Sequence, residues 1–271
     1  MKFDVASVKP SKPGSLFEAS VSLDGLDGAA PTGNLFRANA PVHAYLLFAY
    51  KISDSVQARS IWDHLPSWAK PPQFFTIEAR ADGVPTRDQL RLMVQSLLVD
   101  RFKLRVHREM QMRDVYTLVR DRPDKLGPQL QPHSADNPCL NNPNATFAIA
   151  APTRGTEGPH YCGMVVWDID GEHHLRLTDV TMPQVANYLS GASMQAGTAT
   201  PHSGVDRTGL TGRFDLDVQF VQEANGPGSN PDASGPNFAS ALKNQLGLKL
   251  VNGKAEVNVI VIDHLERPSS D

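Results

Sequence analysis

Long hydrophobic runs are missing from this sequence. Nowhere among its 271 residues do apolar side chains continue for the ~20 positions that a membrane-spanning helix requires. No charged-then-apolar leader precedes "FDVASVKP", which already reads as a strand, so the chain is expected to be a mature product restarted at Met1. Clusters of one charge are also absent. Lys and Arg are scattered and the net charge is −3, which gives no electrostatic footprint for nucleic acid. Cysteine is scarce: Cys139 and Cys162 are the only two, and the pair cannot form a metal site without His ligands at suitable spacing. HExxH and GxSxG do not occur, and "TGLTG" lacks the Lys and the wider Gly spacing of a phosphate loop. The sequence therefore calls for no metal and no cofactor.

What is present is an ordinary globular composition, 40% hydrophobic and 20% charged. The length suits one large domain or two smaller ones, and two is the starting expectation. Both cysteines lie in a Pro/Asn/Gly-rich stretch without periodicity, and an even count in a loop favours a Cys139–Cys162 disulfide in an oxidising compartment. Such a bridge would stabilise the fold by roughly 3 kcal/mol, mostly by restricting the unfolded chain.

Periodicity supplies the elements. "FDVASVKPS" alternates and reads as a short strand, whereas residues 11–33, rich in Gly, Pro, Ser and Asp, read as loop. "NLFRANAP" is a strand leading into a helix with Val42, Tyr45, Leu46, Ala49 and Tyr50 at helical spacing. "SIWDHLPSWAKPP", with two Trp among prolines, reads as irregular, and "FFTIEARA" as a strand with Phe75, Ile77 and Ala79 inward. "TRDQLRLMVQSLLVDRF" combines a Thr86/Gln89 capping box with a stripe of Leu90, Met93, Val94, Leu97 and Leu98, the clearest helix in the chain. "FKLRVHRE" and "MRDVYTLVRD" then read as the two strands of a hairpin.

The order restarts after residue 172. "HLRLTDVTMPQVANYLSG" gives a strand, a Thr181 cap, Pro183 in the first turn and a helix. "GRFDLDVQFV" alternates as a strand, "NFASALKNQLG" is a helix ended by Gly247, and "LKLVNGK" with "EVNVIVIDHL" reads as a second hairpin turning at Asn252–Gly253. Each half reads β-α-β-α-β-β. Matching them puts Leu35 on Leu175, Phe75 on Phe214, Leu90 on Phe238, Leu104 on Leu250 and Val115 on Val257. The expectation is an α+β protein of two similar modules made by internal duplication, with helices packed on antiparallel or mixed sheets: residues 1–120, a Cys-containing insert at 121–172, and residues 173–271.

"FDVASVKPS", "TRDQLRLMVQSLLVDRFKLRVHRE", "DRTGLTGRFDLDVQF" and "ALKNQLGLKL…VIVIDHLERPS" resemble, nearly end to end, a family of uncharacterised secreted proteins multiplied in soil acidobacteria. That resemblance implies export to the periplasm or beyond, many paralogues and no established activity. Relatives joined to membrane metallopeptidases of the antibiotic-sensor type imply an outward-facing sensing or binding role. Each half is also similar in element order to the short N-terminal domain of secretins and TonB-dependent receptors, a partner-docking module.

Several residues could carry chemistry. In "SGVDRTGLTGRFD", Asp206 could hold Arg207 to grip a carboxylate or sugar; the plainer reading is a structural turn in which Asp206 accepts backbone N–H groups. Trp62 and Trp68 could offer a stacking platform, although tryptophans near prolines more often cover the end of a sheet. His173 and His174 are neighbours on a strand, face opposite ways and cannot share one ion. His107 and Glu109 share a strand face and could act as acid and base, with Asp206 the third catalytic candidate; the outer face of a hairpin also carries such residues without function. The function expected is binding or sensing of a small molecule, glycan or peptide in a cleft between the modules. The alternatives are a cofactor-free hydrolase, lyase or isomerase at that cleft, and a domain that docks an envelope protein.

Overall fold

The computed structural model describes residues 1–23, 25, 31–140, 161–169, 171–195, 202–221 and 235–268. The first half runs β1 (Val5–Pro10), β2 (Glu18–Ala19), β3 (Leu35–Ala40), α1 (Val42–Ala49), α2 (Ser55–His64), β4 (Phe75–Arg80), α3 (Arg87–Phe102) and β5 (Arg105–Arg120). The second runs β6 (Leu130–Pro132), β7 (Gly163–Ile169), β8 (Glu172–Val180), α4 (Met182–Gln195), β9 (Ser203–Asp206), β10 (Phe214–Val221), α5 (Phe238–Ala241), a single π-helical turn (Leu242–Leu246) and β11 (Leu248–His264). Helices and sheets are mixed, so the chain is α+β.

Two antiparallel sheets carry the two cores. The first has the order β1-β4-β3-β2 and the second β6-β10-β8-β7. Alternation sends Phe75, Ile77 and Ala79 of β4 inward against Tyr45 and Phe48 of α1 and Leu90, Val94 and Leu98 of α3, all buried. In the second sheet Phe214, Leu216, Val218 and Phe220 of β10 meet Val185, Ala186 and Leu189 of α4 and Phe238 of α5. The Thr86 hydroxyl accepts from Gln89 N and the Gln89 side chain accepts from Thr86 N, a closed capping box that starts α3. Strands β6 and β7, which flank the Cys139–Cys162 disulfide, form the two edges of the second sheet.

The registers agree as well as the orders. Phe36, Ala38 and Ala40 face Ala79, Ile77 and Phe75, while Leu175, Leu177 and Val180 face Val218, Leu216 and Phe214. This corrects the match of Leu35 to Leu175. Leu35 is 51% exposed and Leu175 is 2% exposed, because β8 carries one extra residue in a bulge around Asp179, whose φ of 56° is left-handed. Lys103 and Gly247, both left-handed, close the helices before the buried pair Leu104 and Leu248, so Leu104 corresponds to Leu248 rather than Leu250. The same shift sets buried Val115 against buried Val259 rather than Val257.

Neither expected hairpin exists. The stretch from Arg105 to Arg120 is one strand, Leu248 to His264 is another, and they pair antiparallel with each other from Arg120↔Leu248 to Arg105↔His264. Asn252 and Gly253 lie mid-strand opposite Tyr116 and Val115. A long cross-strand ladder has outweighed the local turn preference of the Asn-Gly pair. The start of β5 and the end of β11 pack on the first core through Leu104, Val106, Ile260 and Ile262; their other ends pack on the second through Leu118, Leu248 and Leu250. β9 adds parallel to β5 to make the mixed third sheet.

The segment read as irregular is helical. Asp54 caps α2 by accepting from Gln57 N at 2.8 Å, and Pro66 follows its C-cap Leu65. Trp68 lies in a short 3-10 turn, Ser67–Ala69.

Candidate functional site

α2 crosses the long ribbon near the first core and leaves an open groove of about 250 Å³ between them. One wall is helical, with Gln57, Ser60, Ile61 and His64 on the face that the i, i+3, i+4, i+7 spacing brings together. The Gln57 amide donates to Asn258 O at 3.4 Å, and His64 Nδ1 is turned to Ser60 O at 2.7 Å. The floor is the run Val259–Ile262 of β11. Beside it stand Glu109, Gln111 and Arg113 of β5.

The period of two along β5 makes the polar wall. His107, Glu109, Gln111 and Arg113 stand opposite Val261, Val259, Val257 and Ala255, so one face of the ribbon carries a polar row beside an apolar one. The row is linked side chain to side chain. Arg113 Nε donates to Gln111 Oε1 at 2.8 Å, the Gln111 amide donates to Glu109, and a Glu109 oxygen lies 3.7 Å from His107 Nε2. His107 Nδ1 is 2.8 Å from Asp263 Oδ1. Asp263 reaches it because β11 has an irregularity between Ile262 and His264, making Asp263 the extra residue of a bulge. A carboxylate only accepts, so His107 donates from Nδ1, and in its neutral form Nε2 keeps its lone pair. That arrangement can accept a proton from a ligand or hold a polar hydrogen. His107, Asp263 and Glu109 are about half exposed, and the row is open to solvent.

His107 and Glu109, expected to share a face, do so. Asp206 and Arg207 stand elsewhere: Asp206 pairs with Leu118 of β5, eleven residues beyond His107 and ~36 Å away at the rise of an extended strand. The Asp206 carboxylate accepts from Thr208 N and Thr208 Oγ1, both at 2.8 Å, and Arg207 N donates to Leu118 O while its side chain is exposed. Trp62 packs edge-on to His43 with ring centres 4.8 Å apart, under Lys70 Nζ at 5.7 Å. Trp68 lies edge-on to Phe75 at 6.1 Å and covers the first core. Neither Trp lines the groove. Gln57, His64, Gln111 and Arg113 were not read from the sequence as lining a site, nor Asp263 as the partner of His107. The signal was the uninterrupted alternation of "HREMQMR", which a turn placed at its centre concealed.

A known family matches residues 43–265, a stretch that holds α2, the groove and both ribbon strands. The chain belongs to the family described as "Protein of unknown function (DUF3738)". No curated protein and no solved structure matches it. This membership agrees with the expectation of an uncharacterised family and goes no further, and it assigns no chemistry to the groove. Among the described residues no helix is long and apolar enough to cross a membrane.

Proposed function

We propose that this is an exported binding or sensing protein that holds a small ligand, of monosaccharide or dipeptide size, in the groove between α2 and the β5–β11 ribbon. The observation that carries the reading is the pairing of the linked polar side chains Glu109, Gln111 and Arg113 with an apolar floor at Val259–Ile262. Small-ligand sites combine apolar surface with a few placed polar groups, and a sugar or peptide fragment offers both faces. Inside the groove the row presents a carboxylate acceptor at Glu109 and a cation at Arg113, which suits a ligand with a hydroxyl or ammonium group at one end and a carboxylate at the other. Export is supported by the Cys139–Cys162 disulfide, which persists in oxidising compartments. Descent by internal duplication is supported by the matched order and register of the two sheets.

The test is a thermal-shift and calorimetric screen of the whole chain against monosaccharides, disaccharides, cell-wall peptides and short dipeptides. A binder should raise the melting temperature of the parent, and Glu109→Gln with Arg113→Ala should abolish the rise. A flat response across the panel would remove this reading.

The hydrogen-bonded His107–Asp263 pair favours a second reading, a cofactor-free enzyme with His107 as general base. It requires turnover of pooled ester, amide or glycoside substrates that disappears in His107→Ala. Binding without chemical change in the ligand would exclude it.

A further inference from the structure

In the second sheet, among residues that do not line the groove, the bulge in β8 gathers a second set of polar side chains that the proposed function does not use. His133, just beyond β6, is held by its backbone N–H donating to Arg213 O at 2.8 Å. Its Nδ1 lies 2.8 Å from Asp215 Oδ1 of β10, and that carboxylate also accepts from Asp179 N at 2.8 Å. Nε2 of His133 is therefore left facing Asp179 Oδ1, 3.8 Å away. The third neighbour is Cys139. One ligand atom each from His133, Cys139 and Asp179 lie within 4.8 Å of one another, and the His133 side chain is only 13% exposed.

We propose that this is a redox-gated site for a zinc-class cation, closed while Cys139 is bridged to Cys162 and opened when the bridge is reduced. Nitrogen, thiolate and carboxylate ligands from three chain segments are a donor set that zinc accepts, with the fourth position left to water. The present spacing slightly exceeds the ~3.3–3.8 Å edge of a tetrahedron built on Zn–N and Zn–S bonds of ~2.0 and ~2.3 Å, a gap that small side-chain rotations close. The second ligand shell is already in place. Asp215 on His133 Nδ1 fixes the tautomer that leaves Nε2 available, the carboxylate–histidine arrangement common around bound metals. Arg213 neutralises Asp179 in the metal-free form and is displaced by the ion.

The chemistry balances with a dithiol reductant. The disulfide takes two electrons and two protons from the dithiol, which becomes a disulfide itself, and Cys139 and Cys162 become thiols. The Cys139 thiol then loses its proton to solvent as the sulfur–metal bond forms. Cys139 need not leave its place on reduction, because Cys162 N donates to Leu140 O at 2.9 Å and Leu140 bridges Tyr161, contacts independent of the sulfurs.

Cobalt(II), which reports thiolate ligation through its charge-transfer band, is the probe. The whole 271-residue chain is titrated oxidised, after reduction, and as Cys162→Ser, in which Cys139 has no disulfide partner. One equivalent should bind to the reduced protein and to Cys162→Ser with a cobalt–thiolate band, and none to the oxidised protein. His133→Ala should remove binding, and Asp215→Asn should weaken it at least about tenfold by freeing the imidazole. Circular dichroism checks that each variant is folded, with His133→Gln as the substitute if Ala is not. Three results would each overturn the proposal: no cobalt–thiolate band in either the reduced parent or Cys162→Ser, equal binding by the oxidised protein, or unchanged affinity in the folded His133 variant.

Discussion

His107 and Asp263 are separated by 156 positions in the chain, yet their side chains meet at 2.8 Å across the ribbon. The contact depends on two features at once. The antiparallel register sets Val106 and His107 beside Ile262 and Val261, and the bulge turns the extra residue Asp263 toward the imidazole. Asp263→Asn should release the ring from a single tautomer, because an amide can either donate or accept. Nitrogen NMR of the imidazole is expected to show Nδ1–H in the parent and a mixture in the variant. The melting temperature should hardly move, since exposed pairs contribute only about 0–1 kcal/mol. Loss of ligand response in a variant this stable would separate function from folding.

Tyr45 is fully buried, and its hydroxyl donates toward Ala38 O at 3.0 Å and Phe75 O at 2.8 Å, tying α1 to β3 and β4. Burial pushes its ionisation well above the usual phenol range, so the neutral donor persists across ordinary pH. Tyr45→Phe should cost about 1 kcal/mol or slightly more, read from urea denaturation.

Gly204 of β9 runs against α4 so closely that a Cβ there would lie 2.2 Å from Ala186 O. Backbone cannot yield as a flexible side chain can. Gly204→Ala is expected to destabilise by about 1–3 kcal/mol as β9 and α4 separate. Faster amide exchange at Val205 would localise the damage to that seam, and a melting temperature equal to the parent's would contradict the packing.

Two groups set a pH response. Burial lowers the pKa of His43 below 6.5, so the unfolded chain takes up a proton that the folded protein resists. Its contribution is complete above about 6.5 and is lost as pH falls from there through the folded value. The Asp88 carboxyl is held below its ordinary 3.8 by hydrogen bonds from Arg91 first and Lys51 second; its contribution is complete above that value and lost as pH falls through the folded one. Asp88 is largely exposed, so solvent screening keeps its effect small. Melting curves at descending pH should show His43→Phe losing less stability than the parent in the mildly acidic range, and Asp88→Asn flattening only the strongly acidic limb.

Local rules served the sequence reading where one element's pattern decides its state. The Thr86/Gln89 box, the apolar stripe of α3 and the alternation in β4 and β10 all appear as written. The ribbon was hidden because its stability comes from pairing between residues 128 to 159 positions apart, from Leu248↔Arg120 to His264↔Arg105, which no window on "VNGKAE" contains. Proline and tryptophan around α2 likewise masked a helix that one residue, Asp54, starts. His107 and Glu109 were legible as neighbours through the period of a strand. Asp263 was not, since only the bulge in β11 brings it across.

The two long strands also change what counts as a half. Ile260 and Ile262, donated by the last part of the chain, help to fill the interior built by the first hundred residues, and Glu266 N donates to Phe102 O at 2.7 Å. Leu118 makes the reverse loan. Expressed alone, either portion would lack a piece of its own lining, whereas the two supplied as separate polypeptides would have reason to find each other. Heat should accordingly melt the whole molecule in a single step.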